Sequence, residues 1–107
     1  MTLADLKNHL KTETKLEFAS WAWIHAPSGD YGVVSGDQDS TFFAGKNVAE
    51  TAPRGYVDYF TRSDGDTPKG TIEAALRSSG WEWFHNSVQF EEETGFLHHE
   101  WRVRWLG

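Results

Sequence analysis

The feature that most constrains this fold is a strict alternation of side chains in residues 97–105. The mostly apolar set is Leu97, His99, Trp101, Val103 and Trp105, and the polar set is His98, Glu100, Arg102 and Arg104. Successive side chains of a β-strand point to opposite faces, so this period of two predicts a strand over residues 96–105. One face of that strand is buried and the other solvated, which is typical of an antiparallel sheet covered on one side.

Two helices are predicted from capping signals and spacing. Thr2 and Asp5 form a capping-box pattern ahead of leucines at helical spacing, which predicts a helix over residues 2–12. Thr67 and Pro68 supply a hydroxyl cap and a proline at the first helical position, and Gly80 is a suitable stop. A narrow apolar stripe that includes Ile72, Ala75 and Leu76 lies between the cap and the stop, so the second helix is predicted over residues 67–79.

Four more strands are predicted over residues 18–26, 31–35, 56–62 and 81–90. The first, with alternating tryptophans, is expected to have both faces partly covered. The last forms a hairpin with residues 96–105 around the turn at residues 91–95. The resulting order predicts one α+β domain over residues 1–107, a largely antiparallel sheet with two helices packed on one face.

Composition excludes several classes of function. Sixteen acidic residues against ten basic ones give a formal charge of −6, which disfavours a surface that neutralises nucleic-acid phosphates. The absence of cysteine excludes disulfides and thiol catalysis. No apolar run approaches the roughly 20 residues of a membrane span, and the first 15 residues lack the apolar core of a secretory signal. We therefore expect a soluble protein that is made in a cytoplasm.

Sequence motifs for chemistry are weak. His98 and His99 are adjacent in a predicted strand and so point to opposite faces, while His25 and His85 meet only in a favourable strand register. Paired aspartates such as Asp64 and Asp66 fit turns better than calcium loops. We therefore expect no catalytic, cofactor-binding or metal-ligating residues, and a small metal-dependent enzyme is the weakest of the alternatives.

Residues 36–55 are the least regular part of the sequence and contain the adjacent pair Phe42 and Phe43. In an extended chain two consecutive side chains cannot enter the same core, so this aromatic pair is a candidate contact with another subunit. Arg54 lies close by in the sequence and is included in the same predicted contact. The alternative is a lid in which one phenylalanine caps its own domain and the other is merely exposed.

Several stretches resemble the small tail-terminator-like or tail-completion proteins of long-tailed phages and prophages. Residues 1–7 resemble the first helix of that family, and residues 31–34 its second strand. Residues 39–46 are similar to a family stretch with a polar turn, two phenylalanines and a small-residue turn. Residues 56–61 match the strand before the second helix, and Glu92 and Glu93 fit the position before the last strand.

The resemblance implies a structural virion protein of the tail, assembled in the host cytoplasm, with no enzymatic activity and no cofactor. Such proteins form rings, commonly hexameric, that stop polymerisation of the tail tube and help to join the tail to the head. The implied partners are further copies of this chain, the tail tube protein and the head connector protein, with no membrane involved. Genome DNA would pass through the ring without specific binding, since carboxylates repel phosphates.

The alternative from another class is a monomeric, phage-encoded binding module that inhibits or recruits a host protein. Its aromatic residues would serve as the centres of contact. The mass of the protein in solution distinguishes this alternative from a ring.

Overall fold

The computed structural model describes residues 1–23, 26–37, 53–62 and 66–106. They form two helices and a sheet of five strands in the order β1-β2-β3-β5-β4. In chain order the elements are α1 (Leu3–Thr14), β1 (Glu17–Ser20), β2 (Tyr31–Gly36), β3 (Arg54–Thr61), α2 (Asp66–Ser79), β4 (Glu82–Glu91) and β5 (Phe96–Arg104). The β2–β3, β3–β5 and β4–β5 pairs are antiparallel and β1–β2 is parallel. The predicted α+β class is confirmed.

Helix α1 begins where the sequence predicts. The backbone N–H of Thr2 donates to Oδ2 of Asp5 at 2.8 Å, and the N–H of Asp5 donates to Oγ1 of Thr2 at 3.1 Å. This reciprocal pair satisfies two amides that have no partner inside the helix. The helix runs two residues beyond the predicted end and stops at Lys15, which has a φ of 62°. Its buried side chains are Leu6 and Leu10.

Helix α2 begins at Asp66, one residue ahead of the predicted cap, and ends at Ser79. Gly80 follows with a φ of 84°, a left-handed conformation that favours glycine, so the predicted stop is confirmed. The predicted apolar stripe, with Ile72, Ala75 and Leu76, is buried. The two helices are joined by Nε2 of His9, which donates to the carbonyl oxygen of Ala75 at 3.0 Å.

The core lies between the helices and one face of the sheet. Val57 and Tyr59 of β3 and Trp101 and Val103 of β5 are buried there, in agreement with the predicted alternation. The fully enclosed Trp101 donates from Nε1 to Oε2 of Glu73 in α2 at 3.0 Å. This hydrogen bond fixes the position of the helix over the middle of the sheet.

The strand predicted over residues 18–26 is wrong at residues 21–23 and at residue 26. Strand β1 ends at Ser20, and Trp21 has a φ of 70°, which turns the chain out of the sheet. Trp21 is 62% exposed instead of lying in a partly covered strand. Trp23 instead lies against β2, where its Nε1 donates to the carbonyl oxygen of Gly32 at 3.0 Å.

Strand β4 contains a register shift between His85 and Ser87, with His85 opposite Trp101 and Ser87 opposite Glu100. The extra residue, Asn86, reverses the alternation along the second half of the strand. As a result Val88 and Phe90 lie on the same side of the sheet as the helices, opposite His99 and Leu97.

Candidate protein-contact surface

The face of the sheet opposite the helices, here called the open face, carries a mixture of aromatic and charged side chains. Cross-strand pairing places these residues on it: Tyr31 and Ser35 of β2, Tyr56, Asp58 and Phe60 of β3, Phe96, His98, Glu100 and Arg102 of β5, and Phe84 of β4. The sequence predicted this side of β5 to be solvated. Phe96 is an exception, since it is buried beneath its aromatic neighbours.

An aromatic stack runs across three strands at one end of the open face. The ring of Tyr31 stacks on Phe60 with centroids 4.7 Å apart, and Phe60 stacks on the imidazole of His98 at 4.2 Å. Phe96 meets Tyr31 edge-on at 5.6 Å, and the guanidinium of Arg62 lies 4.0 Å from the Phe96 ring centroid. These contacts are internal to the subunit and stabilise this end of the sheet.

At the opposite end of the open face, two rows of cross-strand neighbours form a cleft of about 250 Å³. One row is Arg54–Arg104–Glu82 and the next is Tyr56–Arg102–Phe84. We call these six residues the arginine cleft. Three guanidinium groups therefore converge from β3 and β5 beside two aromatic rings, and Arg54 lies directly across from Arg104.

The charges of the arginine cleft are only partly compensated. Arg104 donates to Oε1 of Glu82 from Nη2 at 2.6 Å and from Nε at 3.1 Å. Arg102 instead donates to the hydroxyl of Tyr56 at 3.2 Å, and its guanidinium lies 5.2 Å from that ring centroid. Asp37 also lines the cleft, so among the described lining residues three cations face two carboxylates. Among the described residues no ion pair involves Arg54 or Arg102. The cleft is thus a local cationic site on a chain of charge −6.

The turn between β4 and β5 carries consecutive carboxylates, Glu91, Glu92 and Glu93, here called the acidic tip. Glu92 and Glu93 are exposed. Glu91 accepts a hydrogen bond from Oγ1 of Thr94 at 3.2 Å and lies 3.6 Å from Nδ1 of His98. Gly95, with a φ of 76°, closes the turn by donating to the carbonyl oxygen of Glu91 at 2.8 Å.

Strand β4 lies at the edge of the sheet and exposes large apolar side chains. Phe84 is 55% exposed, Val88 48% and Phe90 61%. We call these three residues the β4 edge patch; Phe84 lies on the open face of the strand, and Val88 and Phe90 lie on the helix side. No other described strand pairs with the outer edge of β4, which runs for ten residues. A long apolar edge strand of this kind is suited to contact with another protein chain.

On the helix side of the sheet, His85 and His99 meet across β4 and β5, with Nε2 of His85 3.2 Å from Nδ1 of His99. Burial lowers the pKa of both imidazoles, and the neighbouring His85 lowers the pKa of His99 further. The two rings lie beside Trp101 in a partly buried polar cluster that also reaches Glu73. Within the described ranges, no three histidine, cysteine or carboxylate side chains are grouped so as to hold a metal ion.

Of the predicted contact residues, Arg54 lies in the arginine cleft, exposed at the start of β3. Phe42 and Phe43 lie outside the described residues, as does His25, whose meeting with His85 the sequence made conditional on strand register. Sequence reasoning missed Arg102, Arg104 and the exposed Phe84. The alternation of β5 had put both arginines on one face, but their convergence with Arg54 depends on strand pairing, which the sequence pattern does not specify.

Comparison with models of known protein families gives no match, and comparison with curated proteins gives no significant match either. Neither helix in the described part of the chain is long and apolar enough to cross a membrane.

Proposed function

We propose that this chain is a structural subunit of a phage tail. In this role it forms a homo-oligomeric ring at the end of the tail tube, stops further addition of tube subunits and helps to join the tail to the head. The activity is assembly, with no catalytic step and no cofactor. The ring, hexameric in the proteins that the sequence resembles, would contact the tail tube protein and the head connector protein in the virion.

The observation that carries this proposal is the β4 edge patch. Isolated exposed apolar residues are ordinary on protein surfaces, but here three occur on one edge strand whose outer backbone groups have no partner strand among the described residues. Covering such an edge with a neighbouring subunit removes both the apolar surface and the unpaired backbone from water. Together with the sequence resemblance, this favours assembly over an isolated subunit.

Charge supports the same role. A ring built from subunits of charge −6 presents an overall negative surface to a passing genome. The phosphates would be repelled, so the DNA would not adhere to the ring during packaging or ejection. The subunit contact expected at Phe42 and Phe43 stays a prediction, because both residues lie outside the described part of the chain.

The test is electron microscopy of phage particles produced without this protein. We expect tail tubes that run past their normal length or fail to join filled heads, with recovery when the wild-type gene is supplied in trans. Normal-length tails attached to heads would show that the protein is not a terminator.

The second candidate is a monomeric binding module for a host protein. The observation that favours it is the arginine cleft, since arginine beside aromatic rings is the combination that dominates the energetics of many protein interfaces. A protein that stays monomeric at all concentrations, yet captures one host protein through this cleft, would support the module and contradict the ring.

A further inference from the structure

We propose that the arginine cleft of one subunit binds the acidic tip of a second copy of the same chain. This inference rests on the proposed assembly function and names the contact that directs it. Glu92 and Glu93 of one copy would lie between Arg54 and Arg102 of the next.

The cleft has the chemistry to bind carboxylates. The guanidinium group is planar and can donate two parallel hydrogen bonds to one carboxylate. Arg104 already donates two hydrogen bonds to Glu82, whereas Arg54 and Arg102 take part in no ion pair among the described residues. Arg54 and Arg104 are direct cross-strand neighbours, an arrangement of like charges that costs free energy and that the Arg104–Glu82 ion pair offsets only in part. An incoming carboxylate would relieve that repulsion.

The acidic tip has the chemistry of the missing partner. Glu92 and Glu93 are exposed at the end of a tight turn, so both can reach into a cleft without unfolding any structure. Neither glutamate forms an ion pair within the described part of the subunit, and the guanidinium of Arg62 donates to the carbonyl oxygens of Ser28 and Thr94 at 2.8 and 3.5 Å.

The tip cannot fill the cleft of its own subunit. Glu82 begins β4 at the cleft and Glu91 ends it at the tip, so the two sites are separated by the ten-residue length of the strand. At the usual rise per residue this is about 30 Å. The contact must therefore join two copies through different surfaces. Such heterologous contacts build closed rings when the rotation between neighbours closes, and filaments when it does not.

A nucleic acid is a less suitable occupant of the cleft. The strands that leave it carry carboxylates along the open face, with Asp58 and Glu100 directly opposite each other in the middle of the sheet. A phosphate backbone that continued from the cleft along these strands would meet them. A short acidic turn needs only the cleft and avoids this repulsion.

The test is charge reversal followed by mixing, with sedimentation velocity as the measurement. The cleft-reversed protein is Arg54→Glu/Arg102→Glu, and the tip-reversed protein is Glu92→Lys/Glu93→Lys. The matched controls, Lys7→Glu/Lys11→Glu and Glu13→Lys/Glu17→Lys, make the same net charge changes on α1 and at the start of β1. Circular dichroism confirms the fold of each variant, and the milder Arg54→Gln/Arg102→Gln or Glu92→Gln/Glu93→Gln protein replaces a reversed protein that fails to fold.

If the proposal is right, wild-type protein associates at low salt and each reversed protein associates about tenfold or more weakly. Both matched controls behave as wild type. An equimolar mixture of the two reversed proteins regains association, because an intact cleft then meets an intact tip and a reversed cleft meets a reversed tip. Raising the salt concentration weakens the wild-type contact through screening.

Three results would overturn the proposal. One is association of the reversed proteins at wild-type strength, and another is a wild-type chain that remains monomeric up to its solubility limit. The third is binding of a single-stranded oligonucleotide that is lost in Arg54→Glu/Arg102→Glu while self-association is unchanged, which would assign the cleft to nucleic acid. Failure of this inference is separable from failure of the proposed function. Reversed variants that restore normal tails in phage lacking the protein would contradict the cleft contact alone.

Discussion

Nε2 of His98 lies 2.7 Å from Oδ1 of Asp58, and this contact ties β5 to β3 on the open face. The other imidazole nitrogen lies 3.6 Å from Oε2 of Glu91 in β4, so one histidine links three strands through carboxylates. The hydrogen bond to Asp58 raises the pKa of His98 above its ordinary value, against the opposing effect of burial, and the charges of Glu91 and Glu100 act in the same direction.

This arrangement predicts a stabilisation that is strongest in mild acid. The pKa of His98 is higher in the folded than in the unfolded chain. The contribution of His98 to the free energy of unfolding is therefore complete below the unfolded pKa of about 6.5, and it is lost as the pH rises through the folded pKa. The loss of unfolding free energy in His98→Gln should therefore be larger at about pH 5.5 than at about pH 8.5. Histidine NMR titration provides the direct measurement, and Asp58→Asn should return the pKa of His98 towards 6.5. An unchanged pKa in Asp58→Asn would contradict the assignment.

The His85–His99 pair predicts the opposite pH dependence. Burial lowers the pKa of both groups, so the folded state favours their neutral forms. The contribution of the two histidines to the free energy of unfolding is greatest above the unfolded pKa of about 6.5. The chain loses stability as the pH falls from there towards the folded pKa values. His99→Gln should therefore lose less stability than wild type between about pH 7 and pH 5. Chemical denaturation at each pH measures the difference, and parallel pH curves for the two proteins would show that the pair does not titrate in this way.

Alanine substitutions at two glycines, Gly55 and Gly70, are expected to change the free energy of unfolding in opposite directions. A Cβ atom at Gly55 would clash with the backbone carbonyl oxygen of Ser35, and β2 cannot move away without breaking its pairing with β3. Gly55→Ala should lower the unfolding free energy by about 2 kcal/mol or more. Gly70 lies on an exposed side of α2, where an added methyl group would have no neighbouring atom within 4 Å, so Gly70→Ala should raise stability by about 0.5–1 kcal/mol. Thermal unfolding of both variants measures the two changes. Equal effects of the two substitutions on stability would contradict the prediction.

The elements that the sequence predicted well are those whose signals are local. The alternation in residues 97–105 corresponds to β5, because a period of two is a direct consequence of strand geometry. The capping pair Thr2–Asp5 and the stop at Gly80 were likewise local and were confirmed. The strand predicted through Trp23 was wrong because a single residue, Trp21, takes a left-handed backbone conformation that tryptophan does not signal.

The contact surface was harder to predict because it depends on pairing between distant segments. Arg54 and Arg104 become neighbours only through the β3–β5 register, although 50 positions separate them in the chain. The register shift at Asn86 decides which face carries Val88 and Phe90, and no local pattern in the sequence indicates it. Hydrophobic character alone would have assigned both side chains to the core.

Val88 and Phe90 of the β4 edge patch lead to a prediction about self-association that involves none of the six residues of the arginine cleft. Val88→Lys and Phe90→Lys each place a charge on the edge strand at side chains that are 48% and 61% exposed in a single subunit. Neither side chain is part of the buried core, so the free energy of unfolding of each variant should remain within about 0.5 kcal/mol of the wild-type value. A lysine on an edge strand opposes pairing with a second chain, because its charge would have to be desolvated in the contact.

We therefore expect each of these two variants to self-associate at least about tenfold more weakly than wild type, which corresponds to about 1.4 kcal/mol per contact. Leu106→Lys is the matched control, because Leu106 is 63% exposed and apolar but lies beyond the end of β5. Sedimentation velocity over a range of protein concentrations measures all three variants. Weakening by Val88→Lys and Phe90→Lys but not by Leu106→Lys assigns the interface to the edge of β4. Equal weakening by all three would reflect added charge alone, and no weakening by any would remove the edge strand from the assembly contact.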